Sequence, residues 1–170
     1  KEGPRDRILL WNLYDKQLTQ TLVIPDLELI ENLAWAPDSR HLAFIGTGYG
    51  QSDLYTIDIE TGERRQLTGT PQRENHPNWS PDGRYIAFSA KYHNQFDIRI
   101  YDLAEGVSHT AVSNPTDDLW PQWLPEGNKV LFVSTRDKIN DLFVYHLDEE
   151  REYRLTRSLS GIMNPALSPD

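Results

Sequence analysis

Apolar positions along the chain fall in short clusters separated by Pro, Gly, Asp and Asn, without the 3.6-residue step of an amphipathic helix. The clusters recur. Trp35, Trp79 and Trp123 stand 44 residues apart, and Leu167 takes the next place. Phe44, Phe88 and Phe132 keep the same step, as do Asp53, Asp97 and Asp141, and Pro77, Pro121 and Pro165. So do the turn sequences Pro37-Asp38-Ser39, Pro81-Asp82-Gly83, Pro125-Glu126-Gly127 and Pro169-Asp170. Agreement at this many positions without an insertion is an internal repeat, and a repeat decides the architecture before any single element does.

Each copy predicts four short strands. The first ends on the repeated Trp (Leu33–Ala36, Asn78–Ser80, Gln122–Leu124) and runs into a turn in which Pro fixes φ and Asp and Gly supply the rest. The second is an apolar run (Arg40–Ile45, Arg84–Ser89, Asn128–Val133), followed by an expected seven-residue polar loop. The third alternates with period two from Asp53, Asp97 and Asp141, so Leu54, Thr56 and Asp58 face one way and Tyr55, Ile57 and Ile59 the other. A tight turn leads to the fourth, which ends at Leu67-Thr68, Ala111-Val112 and Leu155-Thr156. Four antiparallel strands per repeat of this length are the signature of a β-propeller blade, so the fold class is all-β. The expected layout is a partial blade over 7–25, full blades over 31–68, 75–113 and 119–157, and a first strand of a further blade over 163–170. Three full blades with ragged ends form an arc; it would need the remaining blades of a parent protein to close, since an open arc exposes sheet faces and edges.

The run from Asn78 through Trp79-Ser80-Pro81-Asp82-Gly83 to Ile86-Ala87-Phe88, followed by Asp97-Ile98-Arg99-Ile100-Tyr101, resembles the repeat of the TolB-like β-propeller family. The likeness covers about 31–170, with a weaker copy over Arg7–Leu22; Ser39, Leu124 and Glu126 depart from the pattern. It implies a six-bladed ring, within the usual range of about four to eight blades. It also implies a periplasmic or cell-envelope location, and a partner such as the peptidoglycan-associated lipoprotein of an envelope-spanning system. The same repeats resemble propeller domains of tricorn-like, prolyl-oligopeptidase-like and metallopeptidase enzymes, where the ring gates or docks substrate.

The 170 residues carry 17 Lys plus Arg against 26 Asp plus Glu, a net charge of −9 that repels a phosphate backbone, so nucleic acid is not expected as a partner. The absence of Cys excludes disulfides and thiol chemistry. No apolar run is long enough to span a bilayer, and Lys1–Arg7 before Ile8–Trp11 lacks the apolar core of a signal peptide.

Catalytic motifs are missing. Ser158-Leu159-Ser160-Gly161 lacks the first glycine of a nucleophile elbow, and His41, His76, His93, His109 and His146 are scattered without zinc-ligand spacing. Gly46-Thr47-Gly48-Tyr49-Gly50 leads to a strand rather than a helix, so it reads as a bending surface loop and not a phosphate loop. Neither enzymatic activity in these residues, a cofactor nor a metal is expected.

Trp35, Trp79 and Trp123 are expected to fill the wedges between blades, and Asp53, Asp97 and Asp141 to accept hydrogen bonds from nearby loops. Recognition is expected where side chains vary at a fixed place in the repeat. Just before the recurring Pro stand His76, Trp120 and Asn164, and Asn32 holds the same repeat place before Leu33. With Arg73, Glu74, Asp117 and Asp118 from the same connections, and Tyr49, Tyr92, His93, Arg136 and Lys138 from the other loops, they form the candidate surface for a protein or peptide partner. Trp120 is its best anchor.

Overall fold

The computed structural model describes residues 6–136 and 138–168; Pro169-Asp170, the fourth turn of the repeat, lies outside them. The described residues form fourteen strands and no helix, and hence no helix long and apolar enough to cross a membrane. β1 (Arg7–Asn12) and β2 (Gln17–Val23) pair as a two-stranded sheet. Blade 1 is β3 (Leu29–Trp35), β4 (His41–Gly48), β5 (Gln51–Asp58) and β6 (Arg64–Gln66). Blade 2 is β7 (Glu74–Trp79), β8 (Tyr85–Tyr92), β9 (Gln95–Asp102) and β10 (Val107–Val112). Blade 3 is β11 (Asp118–Trp123), β12 (Lys129–Ser134), β13 (Asp141–His146) and β14 (Arg151–Arg154). Every sheet is antiparallel with strands in chain order, so the fold is an arc of a β-propeller.

The core lies between sheets. Ile8, Leu22, Leu27, Phe44 and Tyr55 pack the β1–β2 sheet onto blade 1; Ile45, Leu54, Ile86 and Phe88 join blades 1 and 2; Ile98, Ile100, Trp123, Phe132 and Phe143 join blades 2 and 3. The central strands β4–β5 and β8–β9 are therefore buried on both faces, which is why their apolar residues run on instead of alternating cleanly.

Two expectations change. In blades 1 and 2 the seven-residue loop is mostly strand: β4 and β5 pair as far as Gly48 with Gln51, and β8 and β9 as far as Tyr92 with Gln95. Only Tyr49-Gly50 and His93-Asn94 remain as turns, all four with positive φ, the conformation that matches hairpin twist. Their flanks are polar because these hairpins project past the packed sheets. Gly46 and Gly48 serve close approach instead of bending: a Cβ on Gly46 would come within 2.5 Å of Leu27, and one on Gly48 within 2.7 Å of the Asp26 carbonyl. Blade 3 keeps a longer connection between Ser134 and Asp141.

The second change concerns the tryptophans. Trp123 is 5% exposed, Trp79 is partly buried, and Trp35 is 52% exposed. Trp79 and Trp123 each lie against a complete preceding blade, whereas among the described residues only the outer pair β1–β2 stands before Trp35. Among those residues Trp35 has no inner strand to fill a wedge against.

The turn between first and second strands is closed by the amides of Ser39, Gly83 and Gly127, which donate to the carbonyls of Ala36, Ser80 and Leu124. Ser39 adopts φ 57° where the other copies use Gly, so its departure from the repeat leaves the turn conformation unchanged. Residues 163–168 form no strand, but they rest on blade 3: Gln122 Nε2 donates to the Pro165 carbonyl, and the Leu167 amide donates to Gln122 Oε1 at 3.2 Å. Asn78 Oδ1, one repeat earlier, accepts from the Trp123 amide at 2.8 Å. The innermost strands are stitched to one another by side-chain amides at one repeat position.

Candidate functional site

Each inner strand contains a β-bulge at the same place. Glu31 pairs with Ile45 and Ala34 with Ala43, leaving Asn32 and Leu33 opposite Phe44 alone. In blade 2, His76 and Pro77 stand opposite Phe88, and in blade 3 Trp120 and Pro121 opposite Phe132. A bulge leaves its extra residue out of the ladder, so Pro, which has no N–H to donate, is tolerated there. The first bulge residue is left-handed in each copy: φ is 54° at Asn32, 54° at His76 and 53° at Trp120; Asn164, one step on, has 48°. An L-residue with a side chain held there costs of order 1 kcal/mol, most for a bulky residue such as Trp. The repeat accepts this cost at a position that holds Asn, His, Trp and Asn in successive copies. Such outliers concentrate at ligand sites.

The bulges bring part of the expected surface together. The His76 and Trp120 rings are in tilted contact, with centroids 5.6 Å apart. Burial, then the nearby Arg73 charge, pushes the His76 pKa down, so its imidazole is neutral at pH 7, and its buried Nδ1 has no hydrogen-bond partner. Asn32 and Asn164 occupy the corresponding places on either side. Arg73 is exposed, and its carbonyl accepts from the Lys91 amide at 2.8 Å. Asp117 Oδ1 accepts from the Phe96 amide at 2.9 Å, bracing the blade-2 hairpin that carries Tyr92 and His93. Those two exposed rings touch edge to face, with centroids 4.2 Å apart. Tyr49 and Lys138 are exposed on the corresponding loops of blades 1 and 3.

Glu74 and Asp118 do not belong to that surface. They open β7 and β11 one repeat apart and are 2% and 0% exposed. Glu74 Oε2 accepts from the Leu54 amide at 2.9 Å and the Thr68 hydroxyl at 2.6 Å, latching blade 2 to blade 1. Burial pushes its pKa up to about 7. Asp118 is one methylene shorter, and Val112 stands where blade 1 has Thr68. It accepts from Asn114 Nδ2 at 2.6 Å, lies 3.8 Å from the Arg136 guanidinium, and leaves Oδ1 unbonded. Burial raises its pKa to about 7 as well. Sequence placed both carboxylates on a loop because they follow one; the strand begins on them, and their side chains turn inward.

The third-strand aspartates organise the same connections. Asp53 accepts from Gln51, Gln66 and the Thr70 amide; Asp97 from Ser113; Asp141 from Thr156, Arg154 and the Ser158 amide. Among the described residues no group of three or more His, Asp or Glu is placed to hold a metal ion.

Comparison with solved structures shows the same fold in several settings. TolB from Acinetobacter baumannii superposes with a TM-score of 0.79 at 23% identity, covering 91% of this chain and 38% of that one. Putative TolB from Agrobacterium tumefaciens gives 0.62 at 19%, covering 94% and 73%. The tricorn protease gives 0.68 at 14%, covering 84% of this chain and 16% of that one. This chain therefore spans well under half of the Acinetobacter protein's length. The sequence model of the TolB beta propeller domain matches residues 14–170, and the chain belongs to that family.

Proposed function

We propose that the chain is a non-enzymatic recognition arc of a propeller, and that it binds a protein or peptide segment across the bulge row Asn32, His76, Trp120 and Asn164. The observation that carries this reading is the left-handed backbone at four non-glycine residues one repeat apart, where successive copies present Asn, His, Trp and Asn at the same repeat position. A purely structural bulge would be better served by Gly, which takes this conformation without strain. The pair His76–Trp120 supplies an aromatic anchor, and Arg73 with the Tyr92–His93 tip supplies a polar rim.

Membership of the TolB family supports an envelope role, with a periplasmic protein such as an envelope lipoprotein as partner. The likeness to tricorn protease and puromycin hydrolase supports a second reading, in which this arc gates or docks substrate for a peptidase domain elsewhere in a parent protein. In both readings the bulge row does the binding and chemistry lies outside these residues.

The test is selection of a displayed peptide library on the chain, followed by calorimetry of the winning peptides. Trp120→Ala and His76→Ala should each weaken binding by about tenfold or more, the ordinary loss at a hot spot, while the thermal midpoint stays high enough for folded protein at the assay temperature. Unchanged affinity in both variants would overturn the proposal.

A further inference from the structure

The two complete blade interfaces differ at one place on the face opposite the bulge row. Antiparallel order puts the turns between first and second strands on one face with those between third and fourth. At the interface of blades 2 and 3 the Tyr85 ring stacks on Trp123, centroids 5.8 Å apart and planes 21° from parallel, in the apolar cluster that also holds Ile100. At the interface of blades 1 and 2 the same repeat positions hold His41 and Thr56. His41 does not cover Trp79; its Nδ1 lies 2.6 Å from Asp38 Oδ2 and its Nε2 3.9 Å from Asp58 Oδ2. A cavity of about 480 Å³ is left, with Trp79, Ala36, Pro37 and Leu103 among its walls. That volume lies within the range of small-ligand pockets.

The walls carry Asp38, Asp58, Glu63 and Asp82. Arg65 is the guanidinium among them, and it reaches across toward the Gly106 turn; Arg40 pairs with Asp58 from outside at 2.5 Å. The cavity is thus acidic overall, beside an indole that the protein's own aromatic residue fails to cap. A positive group held near an indole face gains both from the ring quadrupole and from the carboxylates.

We infer that the cleft between blades 1 and 2, walled by Trp79 and rimmed by Asp38, Glu63 and Asp82, is a binding pocket for a basic side chain, an arginine of a peptide partner, in the place that Tyr85 fills at the next interface. The pocket opens on the face away from the bulge row, so it is a second recognition site. Its occupant must be long and flat enough to reach Trp79 and positively charged at its end, which arginine is.

The experiment titrates isotope-labelled full chain with acetyl-Gly-Arg-Gly-amide and with its citrulline counterpart, which has the same shape and no charge. The readout is the Trp79 indole N–H resonance, assigned with Trp79→Phe. The arginine peptide should shift it with a Kd of about 1 mM, as fits one side chain, and the citrulline peptide should bind at least about fivefold more weakly. His41→Tyr with Thr56→Ile copies the filled interface and should abolish the response. Glu63→Gln, at an exposed position, should weaken binding about two- to fivefold, and it carries the test if the double variant does not fold. Equal shifts from both peptides, no shift from either, or an arginine response that survives these substitutions would overturn the inference.

Discussion

The interfaces on either side of blade 2 are built from the same repeat, and they have opposite characters. Between blades 2 and 3, Tyr85 stacks on Trp123 in the cluster that holds Ile100, and the opening of about 370 Å³ beside Tyr85 and Leu147 is not lined by that indole. Between blades 1 and 2, His41 and Thr56 leave Trp79 beside an acidic cavity. The buried carboxylates reverse the pattern on the other face: Glu74 is fully latched between blades 1 and 2, whereas Asp118, between blades 2 and 3, keeps an unbonded oxygen. A repeat fixes where a side chain stands, and the residue chosen there decides whether the position holds blades together or is left for a ligand.

Truncating the tryptophans should break the comparison most visibly. Trp123→Ala should cost about 3–5 kcal/mol in chemical denaturation, as for a buried aromatic residue. Trp79→Ala should cost distinctly less, and Trp35→Ala least, following their increasing exposure. Equal losses at the three positions would mean that burial against the preceding sheet does not govern them.

The pH dependence should be next in size. Glu74 and Asp118 have folded pKa values near 7, above the ordinary 4.5 and 3.8, so the folded state holds extra protons between those values. Their contribution is present in full below the ordinary values and lost as pH rises toward 7. Asp58 and Asp102, held down chiefly by hydrogen bonds from Arg40 and Arg84, act in the opposite sense: their contribution is lost only as pH falls below the ordinary carboxylate range. His76, whose pKa burial lowers, acts against the two carboxylates in the same window; thermal midpoints should fall from about pH 5 to pH 7.5 as the net of these, and Glu74→Gln with Asp118→Asn should flatten or reverse that fall. A slope unchanged by the pair would contradict the assignment.

Tyr85→His copies the open interface into the closed one. It should destabilise the chain by about 1–2 kcal/mol through the lost stack and the partly vacated wedge, measured by denaturant midpoint at constant slope. The smallest effect is expected at Asn32→Gly, where relief of the left-handed backbone roughly offsets the greater freedom of the unfolded chain, leaving stability within about 0.5 kcal/mol.

Much of this architecture is legible without coordinates. The 44-residue step of Trp, Phe and Asp carries the blades and their order, because each repeated residue answers one need of a four-stranded sheet. The position of the bulge row is legible too, since Pro77 and Pro121 mark where no ladder hydrogen bond is needed. Its backbone is less so: Asn32, His76, Trp120 and Asn164 share a conformation that composition alone would assign to Gly. The inward turn of Glu74 and Asp118 depends on where pairing begins, which is set by the Lys91 and Thr135 amides bonding to the carbonyls of Arg73 and Asp117. The cavity beside Trp79 depends on a difference between copies, His41 against Tyr85, and it becomes visible only when neighbouring blades are compared.

The most direct measurement of the central claim is an amide shift map of the labelled chain saturated with a peptide selected for binding. The account predicts that the largest shifts cluster at the three bulges, 31–34, 75–78 and 119–122, with the Trp120 indole N–H among them. Largest shifts on the outer strands β6, β10 and β14, with the bulges unmoved, would contradict it.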